Sequence, residues 1–395
     1  MTRPTVEVAD IFRAQGKNFI DRHHTTIRFQ QLKVMRAIMQ CRTAALGGHV
    51  DICPRCGGDR TISYNSCRNR HCPKCQSQAR QRWIAARKRE LLSTRYFHVV
   101  FTLPHDLHSL VLQNQSQLYN LLFRTVAETV LEIARDPKHL GAEIGFFGIL
   151  HTWGQNLLFH PHIHCVIPGG GIAPDHGGWI HPRYPFFLPV KVLAKVFRGK
   201  FVEGLRRACR NQRLKLAGQI QHLNQPKAFA SFLRILFRQD WVVYAKPAFG
   251  GPEHVLRYLG RYTHRIAISN HRLVAFGGDQ VTFRWRDYAR GNKQRLMTVS
   301  AEEFIRRFLV HVLPKRFVRI RHFGFMANAQ RSTSLALCRR LLRMAPVVSS
   351  TDPTSAPSGW FCPNCRGPMI VVERFTEVTE RSRWKSVSKC LLDTS

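Results

Sequence analysis

Two short constellations in this chain have the residue types and spacing for chemistry. The first is His162-Ile163-His164, and the second, ninety-odd residues later, is the pair Tyr258 and Tyr262. Histidines at i and i+2 project from one face of a β-strand, so both imidazoles can hold one metal ion. Tyrosines at i and i+4 share one face of a helix. A cation that polarises a phosphate oxygen beside a phenol that can attack phosphorus is a pattern for phosphoryl transfer through a covalent tyrosyl phosphate. Each motif also has a plainer reading. A His-x-His strand can line a wet groove, and an aromatic i, i+4 pair stabilises a helix by itself. Context weighs against the plain readings: His160-Pro161 and a glycine run bound the first motif, while Arg257, Arg261, His264 and Arg265 surround the tyrosines, poor neighbours for a core and good ones for a phosphate.

The cysteines cluster along the chain, which favours metal over disulfides. Cys53-Pro-Arg-Cys56 and Cys72-Pro-Lys-Cys75 are fifteen residues apart, the spacing of a four-thiolate zinc site. Cys41, His49, Cys67 and His71 have the types and number for a second zinc; alternatively the two cysteines are small buried apolar residues and the histidines face DNA. Cys362-Pro-Asn-Cys365 reads as a lone knuckle without a partner pair, with only Cys390 beyond it, so no metal is expected there.

The elements that must position these residues follow from hydrophobic period. Residues 10–41 have helical apolar spacing, and residues 76–92 form a basic helix with Arg80, Arg82, Arg87, Lys88 and Arg89 around Trp83 and Ile84. Residues 96–103 (YFHVVFTL), 146–158 and 161–167 read as strands, the last stopped by Pro168 and three glycines. Leu118, Leu122, Val126, Val130 and Ile133 mark a long helix, residues 190–205 another, and residues 241–244 a short strand. Residues 281–288 and 294–299 form a hairpin about Gly291-Asn292 that carries Arg284 and Arg286, followed by a helix from Glu302. The stretch 315–325 interleaves Lys315, Arg316, Arg319 and Arg321 with Phe317, Phe323 and Phe325, a pattern in which aromatics stack bases and cations track phosphates, or a sheet with one apolar and one solvated face. Strands and helices outside strict βαβ order give an α+β fold with an antiparallel sheet.

Charge names the partner class. The chain has 61 Lys and Arg against 24 Asp and Glu, a net charge of +37 spread over its 395 residues, which a polyanion such as nucleic acid would relieve. No stretch approaches the roughly 18 apolar residues of a spanning helix, and the first nineteen residues carry no apolar signal core, so a cytoplasmic protein without a membrane partner is expected.

The order of a strand ending Phe101-Thr102-Leu103, the His162-Ile163-His164 strand and the tyrosine helix resembles the three motifs of HUH endonucleases. The runs LGGHVDIC, SYNSCRNRHCPKCQ, HTWGQNLLFHPHIHCVIPGGG, YLGRYTHRIAISNHR and RIRHFGFMAN, spread over residues 46–328, are similar to those of the IS91-family transposases. That resemblance implies an HUH-like antiparallel sheet flanked by helices, an N-terminal helical zinc-binding module and a basic C-terminal α/β region. It implies a bacterial, nucleoid-associated enzyme that nicks and rejoins single-stranded transposon ends and meets double-stranded DNA at ends and target. Tyr258 and Tyr262 would be the nucleophiles, with Arg257, Arg261 and Arg265 stabilising the phosphate and Mg²⁺ or Mn²⁺ on His162 and His164. Many HUH enzymes take a third ligand from the preceding strand; Gln155 is favoured, with His151 and His160 as competitors, since period two puts residues 151, 153 and 155 on one face. One or two structural zinc ions complete the cofactors. The implied division is a zinc-binding domain over 1–92, a catalytic domain over 93–275, a basic part over 276–343 and a linker and tail over 344–395. The alternatives are a plasmid replication initiator or relaxase of the same superfamily, or a zinc-containing DNA-binding protein without catalysis.

Overall fold

The computed structural model describes residues 4–57, 60–184, 186–247, 260, 266–287, 290–344 and 361–376. Helices α1 (Val8–Arg22) and α2 (Phe29–Gln40) lead to strands β1 (Gly48–Ile52) and β2 (Thr61–Tyr64) and helix α3 (Gln76–Lys88). Next come β3 (Tyr96–Thr102), α4 (His108–Gln113), α5 (Gln115–Arg135), β4 (Gly145–Trp153), β5 (Phe159–Pro168), the short pair β6 (Gly171–Ile172) and β7 (Trp179–Ile180), α6 (Val190–Arg210), α7 (Pro226–Arg238) and β8 (Val243–Pro247). The remainder holds β9 (Leu273–Gly277), β10 (Gln280–Asp287), β11 (Lys293–Ser300), α8 (Ala301–Leu309), β12 (Ile320–Gly324), α9 (Arg331–Leu341) and β13 (Ile370–Phe375). The fold is α+β with antiparallel sheets, as the sequence patterns imply.

A five-stranded sheet in the order β12-β4-β5-β3-β8 organises the middle of the molecule, and all its pairings are antiparallel. Its two faces are both apolar, which explains why β4 is buried along its whole length instead of alternating. On one face Phe97, Val99 and Phe101 lie opposite Ile167, Cys165 and Ile163, and helices α5 and α6 cover them. Phe101 meets Phe197 edge-on at 5.2 Å, and Phe123 lies 6.3 Å from Phe323. The apolar positions of α5 are buried as their spacing demands, and its two buried threonines, Thr125 and Thr129, donate to the helix carbonyls of Leu121 and Thr125. Truncating a fully buried residue such as Leu122 to Ala should cost about 2–5 kcal/mol.

The other face carries a smaller core of Tyr96, Phe147, Ile149 and Val166, packed with Leu335 and Cys338 of α9 and Trp83 of α3. Trp83 stands edge-on to Phe147 at 5.7 Å. Because side chains alternate along β5, His162 and His164 point to this same face as Val166.

The N-terminal helices pack on the C-terminal part of the chain. Phe12 of α1 meets Phe308 of α8 at 5.2 Å, Arg22 pairs with Glu302 at 2.7 Å, and the Gln31 amide donates to the Leu309 carbonyl at 2.9 Å. Two three-stranded sheets complete the fold: β11-β10-β9, whose hairpin turns through Gly291 and Asn292 at positive φ, and β13-β1-β2, which joins strands from opposite ends of the sequence. Among the described residues no helix is long and apolar enough to cross a membrane.

Candidate active site and metal centres

The register of the central sheet brings three histidines together. His151 on β4 lies directly opposite His162 on β5, and Ile149 opposite His164, so all three imidazoles lie at one end of one face. Their ligand nitrogens are within 4.8 Å of one another. The Nε2 atoms of His162 and His164 are 3.0 Å apart, and the His151 ring centroid is 4.3 Å from that of His164. The third histidine of the cluster is His151. Gln155 does not share its strand face, because β4 ends at Trp153 after a register shift and Gln155 sits in the following turn, its carbonyl accepting from the Arg272 guanidinium.

Protonation states follow from burial. His162 is pushed down to about 3 and His164 well below its ordinary value, in both cases first by loss of water and then by neighbouring histidine charge. Neutral imidazoles are the form that binds a cation. The Nδ1–H of His162 donates to the His160 carbonyl at 2.6 Å, which leaves its Nε2 lone pair facing the cluster. His98 on β3, stacked on His164 with centroids 4.9 Å apart, places its Nε2 at 2.7 Å from His164 Nδ1. If His164 donates its Nδ1 proton to His98, its Nε2 turns its lone pair toward His162 Nε2. Two imidazole nitrogens 3.0 Å apart can share either a proton or a cation, and three imidazole nitrogens gathered within 4.8 Å fit a divalent ion.

The cluster forms part of the wall of a cavity of about 660 Å³, with His105, His108, Trp153 and Gln155 around it and Arg306 and Arg307 contributing from α8. Local sequence explains that helix. Ser300 caps it by accepting from the Glu303 amide, Phe304, Ile305, Phe308 and Leu309 face the core, and the arginines fall in the last turn. Glu303 is held down to about 2 by the guanidinium groups of Arg306 and Arg307. His98, Arg306 and Arg307 escaped the sequence reading, although a histidine at an alternating position of the apolar run YFHVVFTL is itself a signal.

Tyr258, Tyr262, Arg257, Arg261 and Arg265 lie outside the described residues. Gly260, between the tyrosines, is described: it is buried against α3, where a Cβ would come within 2.3 Å of the Ile84 side chain.

The cysteines group otherwise than their spacing suggests. Cys41, Cys67, Cys72 and Cys75 form one cluster, and Cys53 and Cys56 form a second with Cys362 and Cys365. The expected set Cys53, Cys56, Cys72 and Cys75 is not brought together, nor is Cys41, His49, Cys67 and His71. Both histidines are engaged elsewhere. His71 accepts from the Leu313 amide at 3.1 Å and faces Asn69, and burial pushes it to about 3; His49 lies 3.4 Å from Asp51. In the first cluster Cys75 is 3.5 Å from both Cys41 and Cys67, and their thiols donating to it hold Cys75 far below the ordinary thiol range. In the second, Cys53–Cys365 and Cys56–Cys362 are 3.4 and 3.6 Å apart. Cys53 is lowered to about 6, chiefly by the Cys56 backbone amide.

The expected DNA-binding cations divide by environment. Arg82, Lys88, Arg89, Arg284, Arg286, Lys315 and Arg316 are exposed, and Arg80 is half-buried. Arg87 is paired with Glu90 at 2.7 Å, burial and Arg70 push Arg319 down to about 9, and Arg321 lies over the Phe123 ring at 4.3 Å. Those three hold the fold together at least as much as they face outward.

Comparison with known proteins places this architecture among transposases. Residues 145–333 match a family described as "Putative transposase" (Y2_Tnp), and residues 11–103 match the "Transposase zinc-binding domain" (Zn_Tnp_IS91). The chain is 52% identical over 393 residues to "Putative transposase y4qJ" of Sinorhizobium fredii, spanning 96% of this chain and 98% of that one. It is 26% identical over 346 residues to "Transposase for insertion sequence element IS801" of Pseudomonas savastanoi pv. phaseolicola, spanning 85% and 78%. No solved structure matches it significantly. The chain belongs to the IS91 family of transposases.

Proposed function

We propose that this transposase cuts and rejoins single-stranded DNA by HUH chemistry, with His162, His164 and His151 holding a divalent ion and Tyr258 and Tyr262 as nucleophiles. The observation that carries the reading is the three-histidine cluster in the wall of a cavity large enough for a nucleotide, with His162 and His164 held neutral by loss of water. When bound, Mg²⁺ or Mn²⁺ would polarise a phosphate oxygen of the scissile bond. The chain's own residues do the rest. A tyrosine oxygen attacks phosphorus and loses its proton, the P–O3′ bond breaks, and the 3′-oxygen takes up a proton, leaving a 5′-phosphotyrosine and a free 3′-hydroxyl. Arg257, Arg261 or Arg265 would stabilise the phosphate oxygens, and Arg306 and Arg307 would offer further positive charge from the cavity wall. Joining is the reverse attack by a 3′-hydroxyl. A second tyrosine allows another strand to be cut while the first remains attached.

Exposed cations on α3 and on the β10–β11 hairpin would carry most of the affinity for transposon ends and target. The zinc-binding match and the cysteine clusters suggest zinc, and within residues 11–103 the set that meets in space is Cys41, Cys67, Cys72 and Cys75. The working division keeps a zinc-binding region over 1–92, a catalytic region over 93–275, a basic region over 276–343 and a tail over 344–395.

The test is nicking of single-stranded candidate ends. His162→Ala and His164→Ala should reduce cleavage to background while most DNA affinity survives, because many cations bind and one cluster serves the chemistry. Equal loss of binding and cleavage would make the histidines structural.

A further inference from the structure

We propose that Cys53, Cys56, Cys362 and Cys365 form a four-thiolate zinc site that clasps the C-terminal strand β13 to the N-terminal strand β1. The cysteines meet in pairs 312 and 306 positions apart in sequence, and all four sulfurs lie within 4.8 Å of one another. Four thiolates in this arrangement suit a soft cation of tetrahedral preference, of which zinc is the redox-silent one.

The backbone supplies an independent argument. Cys53-Pro-Arg-Cys56 and Cys362-Pro-Asn-Cys365 are the same turn made twice. In each, the residue after the second cysteine has positive φ, +61° at Gly57 and +55° at Arg366. In each, that residue's amide donates to the carbonyl of the first cysteine, at 3.1 Å and 2.9 Å. Such turns aim amides at sulfur, and the Gly367 amide lies 3.4 Å from Cys365 Sγ. The third Cys-Pro-x-Cys run behaves differently: Cys75 leads directly into α3 and its amide donates to Cys72 at 3.2 Å. The two matched turns face each other closely, since a Cβ on Gly367 would stand 3.2 Å from the Arg55 side chain. Each turn adjoins a strand, and β1 and β13 pair antiparallel from Gly48↔Phe375 to Ile52↔Ile370. The whole is a ribbon of three strands with a metal-binding turn from each end of the chain.

Neither family match reaches the second turn, since they cover residues 11–103 and 145–333. The consequence is topological: the zinc closes the chain into a loop, so that the region presenting α3 to the sheet is fastened to the C-terminal segment. Binding would release thiol protons to solvent, and removal of the metal would leave β13 held by strand pairing and by side-chain contacts such as that of Phe375 with Tyr64.

The test counts zinc in the full-length reduced protein by elemental analysis and native mass spectrometry. Wild type should hold two zinc ions per chain. Cys362→Ser/Cys365→Ser should hold one, Cys53→Ser/Cys56→Ser should hold one, and the quadruple variant should still hold one, because both pairs serve the same ion. Cys365→His, which replaces one ligand with another, should keep two. Hydrogen exchange adds a readout that does not depend on counting: the amides of residues 370–375 should exchange faster in Cys53→Ser/Cys56→Ser, far away in sequence. A wild type with one zinc, a Cys362→Ser/Cys365→Ser variant that keeps both, or unchanged exchange in β13 would each overturn the proposal.

Discussion

The histidine cluster and the cysteine clusters gather their ligands by opposite means. His151, His162 and His164 are set by the register of adjacent strands in a sheet packed on both faces. The cysteines sit in turns and at strand ends, and the second cluster spans the two ends of the chain. A preformed site spends ligand affinity on chemistry, whereas a site assembled from turns converts it into folding free energy. Removing metal should therefore silence the first and loosen the second.

The largest expected effect tests that contrast directly. If the first cluster holds zinc, replacing Cys41 and Cys75 by Ser should remove it and unfold its surroundings, since structural zinc supplies on the order of 10 kcal/mol of apparent binding free energy. His162→Ala should leave the melting temperature within a few degrees of wild type. Comparable thermal losses in the two variants, followed by circular dichroism, would erase the distinction.

A smaller effect probes the frame beneath the histidines. His311 is fully buried, donates from Nε2 to the Leu157 carbonyl at 3.0 Å, and accepts on Nδ1 from the Thr152 hydroxyl at 3.2 Å. Burial lowers it to about 4 from an ordinary 6.5. The unfolded chain thus takes a proton below about pH 6.5 that the folded chain refuses until about pH 4. Its contribution to stability is complete above pH 6.5 and is lost as pH falls toward 4, on the order of 3 kcal/mol in all. His311→Gln keeps one donor and one acceptor without titrating, so its stability should fall less steeply over that window in denaturant titrations. An unchanged slope would remove His311 as the cause.

His98 sharpens the comparison at the site itself. If it fixes the proton of His164 on Nδ1, His98→Leu should lower activity and metal affinity about 10–100-fold, the usual range for a residue that orients a ligand. His98→Gln, which can still accept, should recover part of the loss. Equal loss in both variants would mean that His98 only fills space.

The smallest effect separates binding from chemistry. Arg284 and Arg286 are exposed neighbours on one face of β10. Arg284→Gln and Arg286→Gln should each flatten the log–log salt dependence of single-stranded DNA binding by about 0.7 if each meets a phosphate, with cleavage of bound DNA unchanged. A uniform loss of cleavage without a change in slope would move them from binding surface to active site.

Local pattern made the scaffold legible. β-Branched and aromatic runs bounded by proline and glycine disclosed β3, β4 and β5, fourfold spacing disclosed α5 and α6, and period two put His162 and His164 on one face. What sequence withheld was anything set by register or by long-range closure. That His151 stands opposite His162 depended on the register of β4 against β5, which no local pattern shows. The cysteine partners were hidden for a stronger reason. Nearest spacing pairs Cys53 and Cys56 with Cys72 and Cys75, but the pairing of β1 with β13 carries them to Cys362 and Cys365 instead. The shared Cys-Pro-x-Cys pattern was visible, yet three such runs cannot tell which two meet.

Trapping the covalent intermediate tests the tyrosine chemistry most directly. Wild-type protein is incubated with single-stranded transposon ends, with and without Mg²⁺ or Mn²⁺, and adducts are digested and sequenced by mass spectrometry. A metal-dependent adduct on Tyr258 or Tyr262 is expected, absent from His162→Ala and from Tyr258→Phe/Tyr262→Phe. One single tyrosine variant should still form an adduct yet fail in strand transfer. An adduct that forms without metal or on another residue, or a single tyrosine variant that transposes normally while the other is dead, would contradict it.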